Sequence, residues 1–252
     1  MNSFDTVIVS DLHLGARNSR CDDFLKFLRS TNARRLIFNG DLFQNQKLDR
    51  LNDREVAVLD ALRQKSTEWR VDWLLGNHDP SAERLAAILG IEARSELVLD
   101  VAGRRYLVCH GHVWDKSLNW PRWLIGGAEG VYYACQRLDP SQRVARYLKH
   151  RSKKFCRAGK NLMRHAIREA KERRLAGVIL GHTHAAVDSI VDGVHYLNSG
   201  CWTEQPNGFV GVCDGTAHAY SWSDGEAWPI GRPRVNSVPK PHLLTKSATV
   251  TR

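Results

Sequence analysis

Val71-Asp72-Trp73-Leu74-Leu75 runs straight into Gly76-Asn77-His78-Asp79. A short apolar run closed by glycine reads as a buried strand that delivers polar side chains at the carboxyl edge of an α/β sheet, where ligand crevices form. Asn77 offers a neutral carbonyl oxygen to a metal, His78 can give or take a proton, and Asp79 can orient a neighbour. Alone, the tetrapeptide also fits a plain turn. Four further stretches of the same design change its weight.

Toward the amino terminus, Thr6-Val7-Ile8-Val9-Ser10 ends in Asp11-Leu12-His13, and Arg35-Leu36-Ile37-Phe38-Asn39 ends in Gly40-Asp41. In extended chain, residues i and i+2 face one side, which predicts that Asp11 and His13 reach one ion together. Toward the carboxyl terminus, Arg105–Cys109 closes a hairpin around Ala102-Gly103-Arg104 and leads into His110-Gly111-His112. Gly177–Leu180 leads into Gly181-His182-Thr183-His184. Helical spacing of apolar residues places helices near 22–30, 50–65 and 82–89, and the last third reads as hairpins over 187–198 and 209–222. Strand, polar edge and helix in repetition predict an α/β sheet with parallel elements. The ordered domain is read as 1–222; over 223–252 small polar residues, proline and glycine take over, and a disordered or loosely packed tail is expected.

The 252 residues suit one well-buried domain, with hydrophobic content of 42% and charged content of 25% typical of a soluble protein. No apolar run approaches the ~18–20 residues that span a bilayer, and Met1-Asn2-Ser3-Phe4-Asp5 lacks the features of a signal peptide. The six cysteines contain no CxxC pair and read as reduced thiols, so a cytoplasmic location is expected.

Asp11/His13, Asp41, Asn77/His78, His110 and His182/His184 thus stand at five strand ends. Asp-x-His, Gly-Asp, Gly-Asn-His-Asp, a strand-end His and Gly-His-x-His, in this order over residues 6–202, resemble the calcineurin-like metallophosphoesterase superfamily. The resemblance implies a two-sheet β-sandwich flanked by helices, with a two-metal centre at the sheet edges. It implies one divalent ion on Asp11, His13 and His184, a second on Asn77, His110 and His182, and Asp41 bridging both. Two ions about 3.5–4 Å apart activate a water for in-line attack on phosphorus. His78 corresponds to the superfamily's non-ligand histidine, which stabilises the transition state or protonates the leaving group. Asp79 is read as orienting His78 or a ligand, and His112 as a ligand, a phosphate contact or a polar loop residue. Mixed N/O ligation suits Mn, Fe or Zn, with Mn the expectation.

Between His110 and His182 the chain is longer than a crossover needs, and 114–175 is read as a helical lid insertion. Trp114, Trp120, Trp123, Tyr132 and Tyr133 crowd its first part. From Arg137 to Arg174 there are fourteen Lys or Arg against three acidic residues, an excess of eleven beside a whole-chain net charge of +10. Aromatics next to a basic helix suit acyl chains and anionic head groups, so peripheral contact with the inner face of an anionic membrane is expected. A solvated helical cap fits the same composition, and a nucleic-acid groove would want the two residue classes interleaved.

Within the superfamily the layout is similar to the UDP-2,3-diacylglucosamine hydrolases, which carry a helical lid after the strand-end His and a Tyr-x-Asn-x-Gly-x-Trp stretch, here Tyr196–Trp202. It departs from them at His78, where many members carry Arg, and at His112 and Cys201, where Asp is usual. That resemblance implies release of UMP and a lipid monophosphate, with Asn119, Arg157, Lys160 and Arg164 contacting the head group. A phosphodiesterase acting on soluble nucleotides or nucleic acid is the alternative, and an inactive-centre scaffold that binds membrane or nucleic acid is a third reading.

Overall fold

In the computed structural model, residues 2–45, 51–115 and 153–230 are described. The seven-stranded sheet has the order β12-β11-β10-β1-β2-β3-β4. Its strands are β1 (Asn2–Val9), β2 (Thr31–Asn39), β3 (Arg70–Leu74), β4 (Ala93–Arg94), β10 (Asn207–Cys213), β11 (Thr216–Ser223) and β12 (Glu226–Pro229). The five-stranded sheet has the order β5-β6-β7-β9-β8, from β5 (Glu96–Val101), β6 (Arg104–Cys109), β7 (Gly177–Leu180), β8 (Val187–Val191) and β9 (Val194–Asn198). β1 to β4 are parallel, as are β6, β7 and β9; the hairpin strands β5, β8, β10, β11 and β12 pair antiparallel.

Side-chain alternation sorts these strands into layers. In β1 and β2, Val7, Val9, Leu36 and Phe38 face helices α1 (Cys21–Ser30) and α2 (Asp53–Glu68), meeting Phe24, Phe27, Val58 and Leu62. Ile8 and Ile37 point the other way and meet Tyr106, Val108, Ile179 and Leu197 between the sheets. Leu107, Val178 and Leu180 face outward again, onto Leu162, Ala166 and Ala170 of α4 (Lys153–Glu172). The result is helix, sheet, sheet, helix, with both sheets buried on their two faces where the parallel strands run, as near-continuous apolar runs require. A further helix, α3 (Ala82–Leu89), follows the Asn77 loop.

One expectation is corrected. The tail was expected to begin at 223, but β12 extends the sheet over Glu226–Pro229. The turn that feeds it is Asp224-Gly225, both at positive φ, a hairpin-turn pair that paired the next four residues with β11. The carboxyl end of the stretch read as lid, α4, packs on the five-stranded sheet as an outer layer. Residues 116–152 and 231–252, including Asn119 and most of the aromatic segment, lie outside the described residues. The described cysteines Cys21, Cys109, Cys201 and Cys213 are free thiols, and no helix among the described residues is long and apolar enough to cross a membrane.

Candidate metal centre

The carboxyl ends of β1, β2, β3, β6 and β7 meet where the two sheets come together, and their loops carry every predicted ligand. The sequence reading expected Asp11 and His13 to reach the site in extended chain, and they do not. β1 ends at Val9, and Asp11 and His13 both take positive φ (56° and 52°), with fully buried Leu12 between them. Asp41, His182 and His184 share this left-handed conformation. It costs a non-glycine residue about 1 kcal/mol or more, and such strain collects at sites that the surrounding structure holds in place.

Among the described residues three groups of potential ligands converge: Asp11, His13 and His184; His13, Asp41 and His78; and Asp41, His110 and His182. In the first, Asp11 Oδ1 lies 3.2 Å from His184 Nε2 and 3.7 Å from His13 Nε2, and the two imidazole nitrogens are 3.2 Å apart. Asp41 joins the halves. Its Oδ1 accepts the His78 amide at 2.9 Å, while Oδ2 stands 3.2 Å from His110 Nε2 and 3.8 Å from His13 Nε2.

Glycines make this convergence possible. A methyl group on Gly76 would overlap the Asp41 carboxylate and amide, and one on Gly40, at φ +83°, would overlap the His110 ring. The loops are also tied through their backbones. Asp79 Oδ2 accepts from the amides of Asp41 (2.8 Å) and Gly76 (2.9 Å), and its Oδ1 from Phe43 (3.1 Å). Asp79 was read as orienting His78 or a ligand. Its described bonds serve the second role: it pins the turn that carries Asp41 and makes none to the His78 ring. Burial and the neighbouring Asp41 carboxylate push its carboxyl up to about 6.

The electrostatics are those of a site built for cations. Burial opposes the Asp11 carboxylate, yet the nearby imidazoles of His184 and His110 hold it well below the usual range. Burial likewise opposes a charged His110, but Asp41 and Asp11 outweigh it and raise the imidazole to about 9. A metal ion would take the place of that proton. His13, by contrast, is lowered by burial. Asp11 Oδ1, Asn77 Oδ1 and His110 Nε2 are buried without a hydrogen-bond partner. Leaving such groups unsatisfied costs about 1–3 kcal/mol each, which a divalent cation among them relieves. The donor set, carboxylate and amide oxygen with imidazole nitrogen, fits Mn, Fe or Zn.

His78 sits at the edge of the centre, its ring 5.0 Å from that of His13, with Nδ1 donating to the Gln44 carbonyl at 2.8 Å. His112 lies beside the second group, its ring 5.6 Å from that of His110, and burial with His110 and His182 pushes it down to about 4. Lys160 and Arg164 are exposed on α4, and Arg164 reaches Asn161 at 3.4 Å; no bond among the described residues joins either to the centre. The side chain of Arg157 lies outside the described residues.

Several supporting roles were not read from the sequence. Asn198 Nδ2 donates to the Gly181 carbonyl at 2.7 Å and its Oδ1 accepts from Gly200, so the Tyr196–Trp202 stretch holds the Gly-His-Thr-His loop. Trp202 is fully buried against Phe24 and Phe27, and its amide donates to the Asp11 carbonyl at 3.0 Å. The Asn39 carbonyl holds His110 Nδ1 at 2.8 Å, and Asp115 lies 2.9 Å from His182 Nε2. Asn198 and Trp202 had a sequence signal in the Tyr-x-Asn-x-Gly-x-Trp stretch, and Asn39 and Asp115 had only their position at a strand end or turn.

Comparison with solved structures finds Yfce, a phosphoesterase from E. coli, at 14% identity and TM-score 0.49, covering 84% of this chain and 90% of that one. A novel archaeal phosphodiesterase matches at 16% identity and TM-score 0.44, covering 86% and 99%. Vacuolar Protein Sorting 29 from Cryptosporidium parvum matches at 14% and 0.45, covering 88% and 93%. Among curated proteins there is no match. The profile of the calcineurin-like phosphoesterase superfamily domain matches residues 4–213, which takes in all five ligand-bearing loops and the five-stranded sheet and ends before β11. The chain therefore belongs to the calcineurin-like phosphoesterase superfamily and is a metal-dependent phosphoesterase.

Proposed function

We propose that the chain is a two-metal hydrolase of a phosphoanhydride in a lipid-linked substrate, UDP-2,3-diacylglucosamine, releasing UMP and a lipid monophosphate. The observation that carries the chemistry is Asp41 Oδ2, which lies within reach of both His13 and His110 and so stands between two three-ligand sets. In this reading Asp11, His13 and His184 hold one ion, and Asn77, His110 and His182 the other. When bound, the ions polarise the phosphoryl oxygens and activate a water. His78 keeps its Nδ1 proton on the Gln44 carbonyl, so Nε2 is the nitrogen that meets substrate. As imidazolium it donates a proton to the departing oxygen; as the neutral ring it accepts one.

The lipid-linked part is supported by the Tyr196–Trp202 stretch and by the exposed face of α4. Lys160, Arg164, Arg168 and Lys171 recur there at helical spacing, suited to anionic head groups at a membrane surface. Arg157 and Asn119 are proposed as further head-group contacts. A phosphodiesterase acting on a soluble nucleotide is the second reading, favoured by His78 at a position where the lipid hydrolases often carry Arg.

Turnover by the Mn-loaded protein of UDP-2,3-diacylglucosamine and of a soluble phosphodiester, run in parallel, separates the two. Release of UMP from the lipid with little diester hydrolysis is expected. Diester hydrolysis without UMP release would overturn the lipid assignment and leave the soluble one.

A further inference from the structure

Three of the site histidines meet a neutral oxygen at Nδ1, and a fourth is held differently. His110 Nδ1 and His78 Nδ1 each donate to a backbone carbonyl at 2.8 Å, and His184 Nδ1 lies 3.4 Å from the Thr203 hydroxyl. These partners are neutral oxygens at Nδ1. His182 is held at the opposite nitrogen by a charged group: Nε2 lies 2.9 Å from Asp115 Oδ2. The two side chains are only 12% and 16% exposed, so the contact is largely shielded from water. Asp115 belongs to none of the three convergent ligand groups. It follows the 3₁₀ turn His112–Trp114, after the strand that delivers His110.

We infer that Asp115 is a positioning residue for the second ion: it accepts the Nε2 proton of His182 and thereby leaves Nδ1 as the nitrogen offered to the metal beside Asp41 and His110. The inference rests on the two-ion reading above. A carboxylate can only accept at this distance, so His182 must carry its proton on Nε2, and the neutral ring then has its lone pair on Nδ1. Fixing the tautomer and ring plane in this way, and raising the basicity of the ligating nitrogen, is what carboxylates behind metal-bound imidazoles do. Asp115 also makes the second site depend on the turn at the start of the insertion, which supplies no residue to the Asp11, His13 and His184 group.

The test is titration of the full-length metal-free protein with Mn²⁺ by calorimetry, for wild type, Asp115→Ala and Asp115→Asn, with the visible spectrum of the Co²⁺-loaded forms alongside. Wild type is expected to bind two ions. Asp115→Ala should keep the first at wild-type affinity and bind the second about 10–100-fold more weakly, with an altered Co²⁺ spectrum. Asp115→Asn, which can still accept at its amide oxygen but lacks the charge, should fall between. Wild-type affinity for both ions in both variants would overturn the inference, as would equal weakening of the two ions together with a lowered melting temperature of the metal-free protein, which marks a structural role. If Asp115→Ala does not fold, Asp115→Asn decides: unchanged second-ion affinity overturns the inference. Fewer than two ions in wild type would instead overturn the two-ion reading on which it rests.

Discussion

Asp41 stands between the two candidate ligand groups because the residues around it leave room and hold it still. Gly76 passes so close that any side chain there would displace the carboxylate. Gly76→Ala should therefore destabilise the metal-free protein by about 1–3 kcal/mol, the usual cost of overpacking, and weaken Mn²⁺ binding; denaturant unfolding and metal titration check both. His78 separates two roles at the same scale. As a proton donor or charge stabiliser, His78→Ala should lower kcat by about 10²–10⁴-fold with the metal count unchanged. Because His78 also falls in a convergent group with His13 and Asp41, loss of an ion in that variant would mark it as a ligand. The proposed ligands were legible in the sequence because each follows an apolar run. The bonds that Asp79 makes, and Asp115 altogether, were not, because what a carboxylate accepts from is decided by loops brought together from distant parts of the chain.

Helix α2 starts with a side chain that serves two elements. Asn52 Oδ1 accepts from Arg54 and Glu55, and Glu55 Oε2 accepts the Asn52 amide at 2.8 Å, a reciprocal cap. The other oxygen, Oε1, accepts the Gly15 amide at 2.7 Å, two residues after His13. Buried Glu55 thus fastens the His13 loop to the start of the helix. Glu55→Ala should cost about 1–3 kcal/mol by leaving the Gly15 and Asn52 amides unpaired, and should weaken the first ion more than the second in a metal titration. Equal weakening would contradict this link. Helical spacing predicted α2 to within a few residues, since its apolar face is local information. The two-residue strand β4 and β12 escaped notice because short edge strands are made by the neighbour they pair with, and the Asp11 and His13 conformations because alternation beyond a strand end has no backbone signal.

At the scale of the molecule, the two sheets are joined by polar contacts as well as by the apolar layer between them. Asp188 on β8 receives His195 Nε2 at 2.9 Å within its own sheet, and His218 Nδ1 at 3.0 Å and the Ala219 amide at 3.1 Å from β11 of the other. Burial opposes the Asp188 carboxylate, but the bonds from His195 and His218 outweigh it and lower its pKa. A carboxyl whose folded pKa is depressed stabilises the fold above its unfolded value near about 3.9, and that contribution is lost as the pH falls through the folded value. Asp188→Asn should therefore be less stable than wild type at neutral pH, by about 1–3 kcal/mol, and the gap should close in acid; a gap independent of pH would refute the assignment. The layered α/β sandwich itself was legible, because runs such as Thr6–Ser10 and Gly177–Leu180 are apolar on both faces and can only be buried. What joins the sheets was not, since Asp188 and His218 are thirty residues apart and ordinary in their local sequence. The proposed two-metal centre turns on the Asp41 carboxylate, which lies within reach of both His13 and His110. Manganese content and hydrolytic turnover, measured together on wild type and Asp41→Ala, test it most directly: wild type should hold two ions per chain and turn over, and the variant should hold fewer and be inactive. An Asp41→Ala protein that kept two ions and wild-type turnover would contradict it.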